Sequence, residues 1–268
     1  MVCAEERCGS FVVAPDGFSV ISVVVFKWRP RIGYRSAYGP EQIHVMRNMV
    51  ARHYPDPHRF ICVTDDPRGL DSGVEIVPLW DDYAKIPNPS FRDGPSCYRR
   101  LKVFSRDIGS VLGERFVCLD LDMLITGDLR PLLNRTEDFI AWKNPHPMWP
   151  YNGSMFMLTA GSRPQVWETF DQKTSPAKSH AAGCRGSDQG WMSYVLGKGE
   201  VTWGPEDGVW SYQDEILGRK RVGGRLVYSI TSKAPLPDGA KVVAFHGRYD
   251  PWARETQQMS PWVAEHYQ

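Results

Sequence analysis

Phe116-Val117-Cys118-Leu119, followed by Asp120-Leu121-Asp122, constrains this chain more than any other stretch. A short, wholly apolar run of this kind describes a strand covered on both faces. Such strands belong to the middle of a sheet with helices packed on it. The run ends in two carboxylates two residues apart, which point the same way in an extended chain. Unpaired, they repel each other and cost stability. A divalent cation that also holds phosphate oxygens is the economical partner. For either Asp alone the plainer alternative is a helix cap or a turn.

The neighbouring segments extend this pattern. Val20–Phe26 is β-branched and reads as a strand that runs into Lys27-Trp28. Pro40 and Glu41 open a helix whose buried face is Ile43, Met46 and Val50. Arg59–Thr64 is a second strand, ending in Asp65-Asp66-Pro67, and Val74–Leu79 a third. Trp80 to Pro95 reads as a long loop, functional or mobile, and Ser96 to Val111 as a helix. Beyond the acidic strand end, Phe139–Trp142, Ser154–Thr159, Val201–Trp203 and Lys241–Phe245 read as strands. Ser162 is expected to cap a helix to Phe170, and Ser187 another to Leu196. Strand–helix alternation over the first half predicts an α/β core with a parallel sheet. Ligands of open α/β sheets bind beyond the carboxyl ends of the strands. Three strand ends here carry a cation and an indole, acceptor carboxylates, and the acidic pair. A nucleoside diphosphate with a metal would use all of them.

Composition narrows the partners. The 268 residues suit one large α/β domain or two small ones. With 32 basic and 31 acidic residues, no general electrostatic grip on nucleic acid is expected. The six cysteines form no C-x-x-C pair, which argues against zinc and for reduced thiols in the cytoplasm. The first residues lack the apolar core of a signal peptide, and no run approaches a membrane span. Peripheral membrane contact stays open, although no basic amphipathic helix stands out.

Taken in order, Lys27-Trp28, RFICVTDDP, YRRLKVF, FVCLDLDMLITGDL, YNGSMFML, GSDQGWM and VVAFHGRYDPW resemble glycosyltransferase family 8 and its bacterial relatives. The resemblance covers roughly residues 20 to 252. It implies a GT-A fold, Rossmann-like, with a mostly parallel central sheet flanked by helices. The expected layout is an irregular lead-in at 1–18, one domain at 19–254 and a tail at 255–268. Within the domain, 19–130 would bind the nucleotide and 131–254 the acceptor.

The activity implied is metal-dependent hexosyl transfer from a nucleotide sugar, a UDP-sugar, to a glycan or other hydroxyl acceptor, with retention. Asp120, Asp122 and His246 would hold manganese, with magnesium as the alternative ion. Lys27, Trp28, Asp65 and Asp66 would serve the nucleotide, and Arg99 and Lys102 the phosphates or the carboxylates. Asn152 and Gly153 would lie beside the donor sugar, with Asp188 and Gln189 next to the anomeric carbon. Gly247 and Arg248 belong to the closing segment. There the family's Lys-Pro-Trp is replaced by Asp250-Pro251-Trp252, and Arg248 is the cation at hand. Trp142, Trp149, Trp203 and Trp210 are candidate stacking surfaces for the acceptor. Rival readings are a non-catalytic sugar- or nucleotide-binding module, a haloacid-dehalogenase-type phosphatase and a nucleotidyltransferase.

Overall fold

A computed structural model describes residues 20–29, 38–87, 96–145, 148–184 and 187–268. The expected lead-in at 1–18 and, of the loop expected from Trp80 to Pro95, residues 88–95 lie outside the described residues. The strands are β1 (Ile21–Lys27), β2 (His58–Thr64), β3 (Glu75–Pro78), β4 (Arg115–Leu119), β5 (Met123–Ile125) and β6 (Phe139–Lys143). They continue as β7 (Tyr151–Thr159), β8 (Val201–Trp203), β9 (Val209–Ser211), β10 (Arg219–Val222), β11 (Arg225–Tyr228) and β12 (Val242–Ala244).

Seven of them form one mixed sheet in the order β3-β2-β1-β4-β7-β6-β8. β1 is parallel to both β2 and β4, whereas β7 is antiparallel to β4 and β6. β1 is buried along its whole length, and β4 from Phe116 to Leu119, as their unbroken apolar runs require. A small second sheet, β5-β12-β9, follows directly from the acidic turn, and β10-β11 form a separate hairpin. The core lies in two apolar clusters. One holds Val23, Met46 and Val117, and the other Val24, Leu101 and Phe156.

The helix Pro40–His53 follows its apolar spacing, with Ile43, Met46, Met49 and Val50 buried. The helix expected from Ser96 to Val111 does not form as one piece. Cys97–Phe104 is a 3-10 helix, Ser105 is extended (ψ 150°), and only Gly109–Leu112 resumes α-helix. The reason is in the spacing. Tyr98, Leu101 and Phe104 recur every three residues, so a three-residue turn buries all of them on one side.

A second correction concerns Ser162. Its hydroxyl donates to the Asp138 carbonyl at 3.0 Å instead of capping a helix. Only Gln165–Glu168 is helical there, entered through Pro164. Ser187 does cap its helix, Asp188–Leu196, by accepting from Gly190 N at 3.2 Å. The last residues pack on the body: helices Arg254–Met259 and Trp262–His266 follow β12, and Trp262 Nε1 donates to the Ala234 carbonyl at 2.8 Å.

Candidate active site

β1 and β4 run side by side, so their carboxyl ends open onto the same space. Trp28, Asp120, Leu121 and Asp122 line a cleft of about 210 Å³ there, together with Phe26, Tyr38, Cys97 and Arg100. The acidic turn is held at both ends. Asp120 N donates to the Ser154 carbonyl at 2.8 Å, and Phe245 N to the Asp122 carbonyl at 2.9 Å. The second bond brings the end of β12, and with it His246, next to the turn.

Arg100 ties this turn to the opposite wall. Its Nη1 donates to Asp120 Oδ1 at 2.8 Å and its Nη2 to the Gly153 carbonyl at 2.5 Å, while Nε lies 3.6 Å from Asp188 Oδ2. Burial alone would favour the neutral guanidine, yet Asp120 and Asp188 overcome it and raise the pKa of Arg100. The pKa of Asp188 is also raised, which for a carboxyl favours the neutral form. Its burial raises its pKa, Arg100 opposes that, and the Asp120 charge adds to it. Gln189 Oε1 accepts from Gly153 N at 3.1 Å, so one glycine receives Arg100 on its carbonyl and Gln189 on its amide. A Cβ at residue 153 would lie 2.9 Å from Gln189 Cβ, which is why this close approach needs glycine. Asn152 Oδ1 accepts from Ser154 N at 3.0 Å and shapes the same turn.

Arg99 and Lys102, expected to neutralise phosphate or pin the carboxylates, are engaged elsewhere. Arg99 donates to the Trp80 carbonyl at 2.9 and 2.6 Å, and Lys102 to Asp82 Oδ2 at 2.7 Å. The residue that pins a carboxylate is Arg100 between them. Arg99 and Lys102 are the basic positions that the resemblance points to, whereas the fold sets Arg100 against Asp120. The local pattern does not separate the two arginines, whose side chains are equally enclosed, 12% and 11% exposed.

On the nucleotide side of the rim, β1 and β2 bring their ends together. Buried Lys27 donates through Nζ to the Asp66 carbonyl at 2.8 Å, and Asp65 Oδ1 accepts from Arg29 N at 2.9 Å. Hydrogen bonds from Arg68 and Arg29 hold the Asp66 carboxyl well below the usual carboxylate range, with burial opposing them and Lys27 assisting. Trp28 sits at the cleft with Phe26, their ring centroids 6.4 Å apart.

His246 Nε2 lies 2.8 Å from Ser211 Oγ and 3.2 Å from Asp214 Oδ2, and Asp214 in turn accepts from Arg219 at 2.7 and 3.0 Å. Burial works against the charged Asp214, but the His246 and Arg219 contacts prevail and bring its pKa down to about 2. Gly247 has φ +81° and meets Gln213 so closely that a Cβ would clash with its amide. Arg248 pairs with Glu255 at 2.9 Å and lies over the Tyr249 ring. The closing segment still reaches the cleft, since Trp252 packs edge-on against Tyr38 at 5.8 Å.

Trp142, Trp149 and Trp203 are core residues and offer no stacking face, and Trp210 packs partly buried against the core. Trp142 sits at a bulge in the β6–β7 ladder, paired with Asn152, and its ring lies 5.9 Å from His246.

As a donor set for a metal, the two carboxylates are hard oxygen ligands on one wall of the cleft. They suit a divalent cation that completes its shell with phosphate oxygens and water. Among the described residues no three of His, Cys, Asp and Glu gather at metal-binding distance. His246 is not part of such a cluster, and its Nε2 is engaged by Ser211 and Asp214.

This sheet order, with its cleft at the strand carboxyl ends, is the fold of the GT-A glycosyltransferases. The galactosyltransferase LgtC, solved in complex with donor and acceptor sugar analogues, matches with a TM-score of 0.59 at 14% identity, over 92% of this chain and 95% of its own. A structure of an LgtC active-site mutant with Glu in place of Gln matches at 0.56 and 15%, over 92% of this chain and 93% of that one. GlyE of Streptococcus pneumoniae TIGR4 matches at 0.54 and 14%, over 92% of this chain and 60% of GlyE. No family model and no curated protein sequence matches the chain. Among the described residues no helix is long and apolar enough to cross a membrane.

Proposed function

We propose that this chain is a metal-dependent glycosyltransferase that moves a hexosyl group from a nucleotide sugar, a UDP-sugar, to a glycan or other hydroxyl acceptor, with retention. The observation that carries the reading is Arg100. One buried guanidinium joins the acidic turn, the Gly153 backbone and Asp188, so a phosphate site and a sugar site share one scaffold. The shared fold supports it, since LgtC was solved with donor and acceptor sugar analogues.

In this reading Trp28 offers a flat wall to the nucleoside, and Asp65 and Asp66 accept hydrogen bonds from the base. Asp120 and Asp122 would hold the divalent ion, manganese or magnesium, and His246, held beside the acidic turn on Ser211 and Asp214, would have to turn toward it to serve as the third protein ligand. When bound, the cation supplies Lewis-acid stabilisation of the leaving diphosphate. Arg100 keeps Asp120 and Asp188 together without repulsion. Asp188 and Gln189 face the donor sugar, where a carboxylate and an amide dipole stabilise positive charge developing at the anomeric carbon. LgtC's active site also contains a glutamine, the residue changed to Glu in its mutant. Arg248 serves the diphosphate only by leaving Glu255. A reducing, cytoplasmic setting belongs to this reading, in which Cys62, Cys118 and Cys184, free and buried among the described residues, stay as thiols.

Thermal unfolding against nucleotides and nucleotide sugars, with and without manganese, tests this. A ligand at a hundredfold excess over its Kd adds about 2.7 kcal/mol of stability. A manganese-dependent rise with a uridine compound, lost in Asp122→Ala, is expected, followed by turnover of the matching UDP-sugar. No shift with any nucleotide would sink the reading. A shift without turnover would favour the non-catalytic binding module.

A further inference from the structure

The β10–β11 hairpin stands apart from both larger sheets, and its composition departs from the rest of the chain. Ile216 to Pro237 holds five basic residues and no acidic one, in a chain whose charges otherwise nearly cancel. Gly223 and Gly224, both at positive φ (55° and 79°), make the tight turn that joins the strands. An isolated two-stranded hairpin is marginal in water, and this one is secured at its base. Arg219 pairs with Asp214, and the Tyr228 hydroxyl donates to Gln213 Oε1 at 3.0 Å.

The register divides its faces. Arg219 and Tyr228 oppose each other on the face that carries these body contacts, with Arg221 and Leu226 further out on the same side. The other face presents Lys220, Val222, Arg225 and Val227. Lys220 through Val227 are all exposed, and Val222, Leu226 and Val227 are open to 61%, 53% and 41%. One hairpin end thus carries three exposed aliphatic side chains interleaved with Lys220, Arg221 and Arg225.

We propose that this hairpin docks the protein on an anionic lipid surface. Val222, Leu226 and Val227 enter the boundary between headgroups and acyl chains, while Lys220, Arg221 and Arg225 extend to the lipid phosphates. Charge complementarity selects an acidic surface. The aliphatic character of the patch selects a bilayer over single-stranded nucleic acid, which is gripped with exposed aromatics. The assignment does not depend on the transferase reading. The Arg219–Asp214–His246 contacts tie the hairpin base to the proposed donor cleft, so docking would hold that side of the molecule at the membrane.

The test is sedimentation of the whole protein with vesicles of phosphatidylcholine alone or of phosphatidylcholine with phosphatidylserine, at low and raised salt. Binding to the mixed vesicles only, weakened by salt, is expected. The double variant Lys220→Glu/Arg225→Glu should bind them at least tenfold more weakly. Val222→Ser/Val227→Ser should also weaken binding while leaving its salt dependence in place. Both variants alter exposed residues, so an unchanged Tm will show that they are folded. Equal binding to both vesicle types, no binding to either, or wild-type binding by the charge-reversed variant would each overturn the proposal. Wild-type binding to duplex DNA or to an acidic protein, with no vesicle binding, would overturn it in favour of that partner.

Discussion

At the scale of single residues, Arg100 has the most to lose. It is buried between Asp120 and Asp188, and removing it leaves two carboxylates facing each other without a counter-charge. Arg100→Ala should destabilise the protein by about 3 kcal/mol in urea unfolding. Arg100→Lys should lose less, because it keeps the charge but cannot span both Asp120 and the Gly153 carbonyl. Equal stability of Arg100→Ala and wild type would show that the guanidinium is not the link described. Asp66 gives a second test. Its folded pKa is depressed, chiefly by Arg68 and Arg29. Its stabilising effect is therefore complete above the ordinary carboxylate value of about 3.9 and is lost as pH falls through the lower folded value. Arg68→Ala should move the Asp66 carboxyl titration, followed by NMR, upward toward that ordinary value, and an unmoved midpoint would deny Arg68 its role. These two residues also mark what could be read beforehand. Asp66 was legible because a parallel strand end fixes its place. Arg100 was not legible because the resemblance points to Arg99 and Lys102, and only the folded packing sets Arg100 between Asp120 and Asp188.

At the scale of elements, what was legible followed burial. β1, β2 and β4 are apolar runs that only a two-sided core accommodates, so their ends, and the cleft between β1 and β4, followed from sequence. The β10–β11 hairpin went unread, although Gly223-Gly224 between Val222 and Arg225 is a hairpin signal. Its exposed strands lack the inside–outside alternation that marks a half-buried strand. The contact of β7 with the helix Asp188–Leu196 was half legible. Asn152, Gly153, Asp188 and Gln189 were singled out, but not the closeness of the two elements. Gly153→Ala tests that closeness. The new Cβ, 2.9 Å from Gln189 Cβ, must push the helix away. The expected cost is about 1–3 kcal/mol of stability. Displacing Gln189 should also lower kcat in the proposed transfer more than it raises KM. A stable, fully active Gly153→Ala would mean that the two elements can separate freely.

At the scale of the whole molecule, the C-terminal residues close a circuit from the core to the cleft. Trp262 packs near Tyr212 and Phe245, with ring centroids 6.2 and 6.5 Å away, and its Nε1 holds the Ala234 carbonyl. Trp252 lies between Tyr267, at 6.0 Å, and Tyr38, at 5.8 Å, and Tyr38 lines the cleft. The aromatic content of this tail was visible in the sequence. Its partners were not, because they come from segments far away along the chain that only the folded topology brings near. The two tryptophans therefore have separable duties. Trp262→Ala should cost about 2 kcal/mol of stability and leave nucleotide affinity of the folded protein unchanged. Trp252→Ala should cost less stability, because its contacts are with surface-proximal rings. By releasing Tyr38 it should weaken binding of the nucleotide that gives the thermal shift. Urea unfolding and calorimetric titration, run on both variants, read the two effects apart. If Trp262→Ala weakens nucleotide binding as much as Trp252→Ala does, the tail acts as one unit and the separation fails. If neither affects binding, Tyr38 holds its place at the cleft without help from the C-terminal segment.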